Sequence, residues 1–151
     1  MEKANEQSLA ADAAWMADLA LRWRTAWNSH DAGKVLDLMT DDITVRDDVW
    51  PVPMHGHVEV RTWIEQLWTA FPNLEFEVLG AYARIDSSGG ALHWRARGTN
   101  SGPYEPLGLI ATGLSIDLDG ADFHLYRDGL ISYNRATFNG ASLLGQLGLL
   151  D

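Results

Sequence analysis

The chain has 151 residues, 46% of them hydrophobic, which predicts a single domain over residues 1–151 with a sizeable buried core. A formal net charge of −10 excludes the basic face that nucleic acid or an anionic membrane needs in a partner, and the absence of cysteine excludes disulfides, thiol nucleophiles and thiolate metal sites. The polar residues 1–7 precede no cleavable or membrane-spanning apolar run, so we expect a mobile tail there and a cytoplasmic protein.

Helical periodicity predicts four helices, over about residues 8–29, 32–39, 58–70 and 141–149. The first has an apolar stripe rich in tryptophan, and Pro72 ends the third. The seven tryptophans of the chain indicate either an aromatic-lined cavity or a core or dimer face packed with indole rings.

The strand predicted over residues 43–49 extends an apolar row with an acid, because Ile43 and Val45 share a face with Asp47. A charged carboxylate without a partner is costly on such a face, so Asp47 is a candidate for a group that points into a cavity. The loop that follows contains His55 and His57 but no third ligand at a recognisable spacing, and we predict no metal site.

Four further strands are predicted after the third helix. The second of them has a basic face formed by His93, Arg95 and Arg97. These side chains are predicted to pair across the sheet with Glu75 and Glu77, or to lie in a dimer contact.

The last two strands, within residues 114–139, are predicted to form a hairpin. Leu114, Ile116 and Leu118 share an apolar face that is predicted to point into the core, and the same alternation places Asp122 on that face. A turn or a bulge at Gly120 would instead leave Asp122 on the surface, and periodicity alone leaves both arrangements open.

The predicted order of elements indicates an α+β fold, because helices come first and are followed by a mostly antiparallel sheet that is long enough to curl. The N-terminal helices would cover the concave face of a cone-shaped sheet, and Asp47 and Asp122 would both point into the cavity between them. The segment 102–113, rich in glycine and proline, is long enough to lie over the cavity mouth.

Four segments, AWNSHDAGKVLDLMTDDITVRDD, RGTNSGP, GADFHLYRDGLI and LLGQLGLL, occur in an order and spacing that resembles the SnoaL-like polyketide cyclases of the nuclear transport factor 2-like superfamily. The resemblance covers nearly the whole chain. It implies a cone-shaped α+β barrel, a homodimer and an apolar cavity that works without a cofactor.

The segment DDITVRDD is also similar to part of the ketosteroid isomerases, and the resemblance places Asp47 at their general base. It places Asp122 at their protonated, hydrogen-bond-donating aspartate and Trp23 at their tyrosine. SnoaL-type cyclases and limonene-type epoxide hydrolases are expected to carry a catalytic aspartate in the last strand, where this chain has Ala136. The cyclases are also expected to carry a histidine where this chain has Asp122, so their chemistry does not transfer residue by residue.

These observations predict a cofactor-free acid/base enzyme for a bulky apolar polyketide- or steroid-like carbonyl compound. Asp47 would remove a proton next to the carbonyl, a neutral Asp122 would donate a hydrogen bond to the enolate oxygen, and His124 would orient Asp122 or serve as an alternative base. The predicted substrate-binding residues are Trp23, Trp27, Trp50, Trp63, Trp94, Asn134 and Phe138. The alternative is a domain of the same fold that only binds a small molecule or serves as a dimer scaffold.

Overall fold

The computed structural model describes residues 10–150 of the chain. This part contains four α-helices and six β-strands. The predicted mobile tail over residues 1–7 lies outside these residues. The helices are α1 (Ala13–Asn28), α2 (Ala32–Leu36), α3 (Gly56–Ala70) and α4 (Gly140–Gln146). The strands are β1 (Met39–Asp47), β2 (Met54–His55), β3 (Glu75–Ala83), β4 (Gly89–Thr99), β5 (Ser115–Arg127) and β6 (Leu130–Phe138).

The helix ends follow from local chemistry. The carboxylate of Asp12 accepts a hydrogen bond from the Trp15 N–H at 2.9 Å and caps α1. Asp31 caps α2 in the same way, through the Gly33 N–H at 2.9 Å. The second helix is shorter than predicted because Met39 already pairs with Ile131 as the first residue of β1.

The six strands form one sheet in the order β2-β1-β6-β5-β4-β3. Only the β1–β6 pair is parallel, and the other pairs are antiparallel, as predicted. Helix α1 packs against β3 and α3 packs against β1, so the two long helices cover one face of the sheet. The α+β fold is therefore confirmed, with the difference that β2 and β3 remain edge strands and the sheet is not a closed barrel.

Strand β5 continues through Gly120 without a turn or a bulge. Gly120 is paired with Trp94 on β4 and with Phe138 on β6, in unbroken register with its neighbours. A Cβ atom at this position would lie 2.7 Å from the Trp94 ring, so the glycine is needed for close packing rather than for a turn. The inward orientation of Asp122 is thereby confirmed, and only 3% of its surface is exposed.

The basic face of β4 lies between acids on both neighbouring strands. Glu75 and Glu77 on β3 are the cross-strand register partners of Arg97 and Arg95, as predicted. The close ion pairs, however, are made with β5, since Arg95 Nε donates to Asp117 at 2.7 Å and His93 Nε2 lies 2.8 Å from Asp119. Acids flank β4 on both sides, and the sequence pattern does not show which strand supplies the contact. The homodimer stays a prediction.

Within residues 10–150, no helix combines the length and the apolar character that crossing a membrane requires.

Candidate active site

An apolar cavity lies between the two long helices and the inner face of the sheet. The space between its walls that contains no protein atoms is about 820 Å³, a volume that includes open solvent at the mouth. The space that the centre of a water molecule can occupy is only about 80 Å³. Aliphatic side chains and aromatic rings form the wall, and the indole and phenyl rings belong to Trp23, Trp27, Trp63, Phe71, Phe76, Trp94 and Phe138. The cavity is narrow, so a bulky ligand has to widen it.

Two acids, Asp47 and Asp122, line this cavity on either side of Ala136. Ala136 on β6 is the register partner of Asp47 on β1 and also of Asp122 on β5. Adjacent strands are about 4.8 Å apart, so the two acidic residues have Cα atoms about 10 Å apart. The methyl group of Ala136 leaves the space between the two carboxyl groups open.

Asp47 is held by two hydrogen bonds to its two carboxylate oxygens. The Val49 N–H donates to Oδ1 at 2.9 Å, and the Trp63 indole N–H donates to Oδ2 at 3.1 Å. Burial raises the pKa of Asp47 to about 6, even though both hydrogen bonds act to lower it. Each oxygen keeps a further lone pair, so Asp47 is a fixed proton acceptor that changes charge close to neutral pH.

One carboxyl oxygen of Asp122 accepts a hydrogen bond from an indole, and the other oxygen faces a histidine. The Trp94 indole N–H donates to Oδ1 at 3.0 Å, and Oδ2 lies 3.8 Å from His124 Nε2. The His124 side chain is fully buried, and its Nε2 has no hydrogen-bond partner within residues 10–150. Because Oδ1 already accepts from Trp94, a proton on this carboxyl group would lie on Oδ2.

His124 also contacts Tyr126 on the side away from Asp122. Its Nδ1 lies 3.0 Å from the Tyr126 hydroxyl oxygen, and this hydroxyl group lies 3.3 Å from the Met16 sulfur. These contacts hold the imidazole ring in place, with Nε2 facing Asp122.

The structure brings together most of the predicted substrate-binding residues. Trp23, Trp27, Trp63, Trp94 and Phe138 all line the cavity. Two of these also hold the acids, since the indole N–H groups of Trp63 and Trp94 donate to Asp47 and Asp122.

Three of the predicted site residues lie outside the cavity lining, namely Trp50, Asn134 and His124. Trp50 is in the turn after β1 and packs on Tyr104, with a ring-centre distance of 6.1 Å. Asn134 shares a face with Ala136 but lies one pair further along the sheet, opposite His124, and both are buried there. Strand alternation identifies the face on which a residue lies, but it does not show where along that face the cavity ends.

Sequence reasoning missed Tyr104, which lines the cavity from the loop between β4 and β5 and is 5% exposed. The loop is held at its base by Asn100, whose Nδ2 donates to the carbonyl groups of Ala70 and Gly102 at 3.2 and 2.9 Å. Asn100 Oδ1 accepts from the Thr112 N–H at 2.9 Å. A loop has no periodicity, and the only available signal was its composition and length.

No group of three or more histidine, cysteine, aspartate or glutamate side chains within residues 10–150 is arranged to hold a metal ion. Of the side chains in this part of the chain that line the cavity, the two aspartates are the only titratable ones besides Tyr104, and none is lysine, arginine or histidine.

The profile of the SnoaL-like domain family matches residues 20–134. Three solved structures have a similar fold over most of the chain. AclR of Streptomyces galilaeus, provisionally named a hydroxylase, is 23% identical with a TM-score of 0.76, over 93% of this chain and 89% of its own. A protein of Jannaschia sp. CCS1, provisionally named a SnoaL-like polyketide cyclase, is 16% identical with a TM-score of 0.77, over 91% of this chain and 94% of its own.

The third, a hypothetical protein of Catenulispora acidiphila with a ketosteroid isomerase-like fold, was solved with trimethylamine. It is 17% identical with a TM-score of 0.71, over 86% of this chain and 92% of its own. At these identities the structures show a shared fold and nothing about activity. No curated protein matches the sequence.

Proposed function

Since the chain belongs to the SnoaL-like domain family, we propose that it is a cofactor-free acid/base enzyme for an apolar carbonyl compound of the polyketide or steroid kind. The observation that carries the proposal is Asp47, a carboxylate fixed in the wall of an apolar cavity with a pKa raised to about 6. A general base works best when its pKa is close to the pH at which it acts.

In the proposed reaction, Asp47 takes a proton from the carbon next to a substrate carbonyl group. The electron pair of the broken C–H bond forms the enolate, and negative charge develops on the carbonyl oxygen. Asp122, neutral and protonated on Oδ2, donates a hydrogen bond to that oxygen. Its O–H is free to turn toward a ligand, because 3.8 Å to His124 is longer than a hydrogen bond.

Two outcomes follow from the enolate. Return of the proton from Asp47 to a different carbon shifts a double bond, whereas attack of the enolate carbon on a second carbonyl group closes a ring. A bound apolar ligand would displace water from the apolar wall and strengthen the hydrogen bond to the enolate oxygen, because electrostatic interactions are stronger where water is excluded.

An epoxide hydrolase of the Asp-Arg-Asp type is less well supported. Ala136 replaces the acid of the last strand, and no arginine lines the cavity within the described part of the chain. A domain that only binds ligands gains nothing from a carboxylate held buried at a raised pKa, since the burial of Asp47 destabilises the fold at neutral pH.

The direct test of the proposal is hydrogen exchange on a carbon acid. In D₂O the protein should accelerate deuterium incorporation next to the carbonyl group of an apolar bicyclic ketone such as 2-tetralone, followed by proton NMR. A panel of apolar ketones that bind the protein but exchange at the buffer rate would contradict the proposal.

Ligand binding should quench the intrinsic tryptophan fluorescence in a saturable way, because several indole rings line one cavity. A titration with steroids and aromatic polyketides measures this quenching. Trp23→Phe should reduce the change on binding, whereas Trp15→Phe, outside the cavity lining, should not. Saturable quenching that disappears in the Trp15 variant alone would place the ligand elsewhere.

A further inference from the structure

The hydroxyl group of Tyr104 is buried without a hydrogen-bond partner. The residue is 5% exposed and lines the cavity, and its Oη has no partner among residues 10–150. Buried hydroxyl groups in folded proteins are nearly always paired, so an unpaired one in a ligand cavity indicates a partner that arrives with the ligand. Trp27 Nε1, which also belongs to a residue of the cavity wall, is unpaired in the same part of the chain.

The phenol ring of Tyr104 is firmly placed. Its backbone N–H donates to the Leu109 carbonyl at 2.9 Å, and the Leu109 N–H donates back at 3.1 Å. The ring packs edge-on against Trp50, and the Trp50 N–H donates to the Asp47 carbonyl at 3.1 Å. These contacts position Tyr104 at the Asp47 end of the cavity.

The Tyr104 hydroxyl keeps its proton at neutral pH. Burial raises the pKa of this phenol well above its usual range, and the charge of Asp47 raises it further. Tyr104 is therefore available as a hydrogen-bond donor and does not compete with Asp47 as a base.

We propose that Tyr104 donates a hydrogen bond to a second oxygen of the substrate, so that the site selects ligands with a second oxygen over ligands with one. The inference rests on the proposed function, in which the first oxygen faces Asp122 at the other side of Ala136.

The test compares two aromatic probes that differ in one hydroxyl group, 2-naphthol and 1,3-dihydroxynaphthalene. Wild type should bind the diol about 10-fold more tightly, the effect of one additional buried hydrogen bond. Tyr104→Phe removes only the phenol oxygen and should reduce this preference to about 1-fold while leaving 2-naphthol affinity unchanged. Tyr82→Phe is the matched control, because Tyr82 is 60% exposed on β3, and it should keep the full preference.

The inference would be overturned if wild type bound the diol no more tightly than 2-naphthol, or if Tyr104→Phe kept the full preference for the diol. An equal loss of affinity for both probes in Tyr104→Phe would also overturn it, since it would show that Tyr104 has a packing role alone. The melting temperature of unliganded Tyr104→Phe should not fall, since no hydrogen bond is lost. The Asp47→Asn variant should retain the diol preference, so a failure of the acid/base proposal and a failure of the Tyr104 inference give different results.

Discussion

Asp47→Asn is expected to lower the rate of carbon-acid exchange by about 10²- to 10⁴-fold, the range for loss of a general base. The amide has nearly the same size and still offers an oxygen to the Val49 N–H, but it does not accept a proton from carbon. Ligand affinity should change little, because the apolar side chains that form most of the cavity wall are unchanged. Single-turnover deuterium exchange on an apolar ketone measures the rate, and fluorescence titration measures the affinity.

Asp48→Asn is the matched control for this variant. Asp48 is adjacent in sequence but faces outward, where Arg135 donates to it at 3.2 Å. The control should keep the wild-type exchange rate. Equal rates for wild type and Asp47→Asn would remove Asp47 from the mechanism and make His124 the remaining candidate base.

The raised pKa of Asp47 also has a consequence for stability. Its folded pKa of about 6 lies above the ordinary value of about 3.9, so its protonated form stabilises the fold fully below pH 3.9, and this contribution is lost as the pH rises through 6. Over that window the unfolding free energy of wild type should fall relative to Asp47→Asn by up to about 3 kcal/mol. Urea unfolding of both proteins at pH 3.5, 5 and 7 measures the difference.

Asp122→Leu is expected to reduce exchange by about 10²- to 10³-fold, the cost of removing one donor to a developing oxyanion. Asp122→Asn should cost less than about 10-fold, because its amide N–H replaces the carboxyl O–H and its oxygen still accepts from Trp94. The leucine variant should also be less stable by about 1–3 kcal/mol, since it leaves the Trp94 N–H buried and unpaired. Rates and thermal unfolding of both variants measure these effects.

Asp119→Asn provides the control on the same strand, because Asp119 is exposed and pairs with His93 on the outer face. It should leave exchange unchanged. A loss in Asp122→Asn as large as in Asp122→Leu would show that Asp122 acts as a charged carboxylate beside a protonated His124, and would contradict its role as a neutral donor.

Period-two alternation predicted the two acids because each extends an apolar row. Ile43 and Val45 beside Asp47 are fully buried, whereas in the Asp122 row Ile116 is buried, Leu118 is half-buried and Leu114 is exposed, contrary to prediction. The sequence left open whether Gly120 turned the chain. The structure shows that the Trp94 ring fills the space where a side chain would be, a contact between residues 26 positions apart that no local pattern contains.

Sequence patterns could not predict how close Asp47 and Asp122 lie to each other. Their closeness depends on the parallel pairing of β1 with β6, which places Asp47 and Asp122 on either side of Ala136. The resemblance identified Ala136 only as a departure from the family, which has an aspartate at this position. The structure shows that the small side chain of Ala136 leaves the space between the two acids open. Tyr104 was missed for a related reason, since its place in the cavity depends on the anchoring of its loop by Asn100.

Asp47 is expected to act as a half-buried base whose charge changes near neutral pH. Carbon-13 NMR of aspartate side-chain carboxyl groups in the unliganded protein, with the Asp47 signal assigned by its absence in Asp47→Asn, measures this directly. The titration midpoint of Asp47 is expected at about 6. A midpoint near the ordinary value of about 3.9 would show a solvated surface acid and exclude Asp47 as a base tuned to neutral pH.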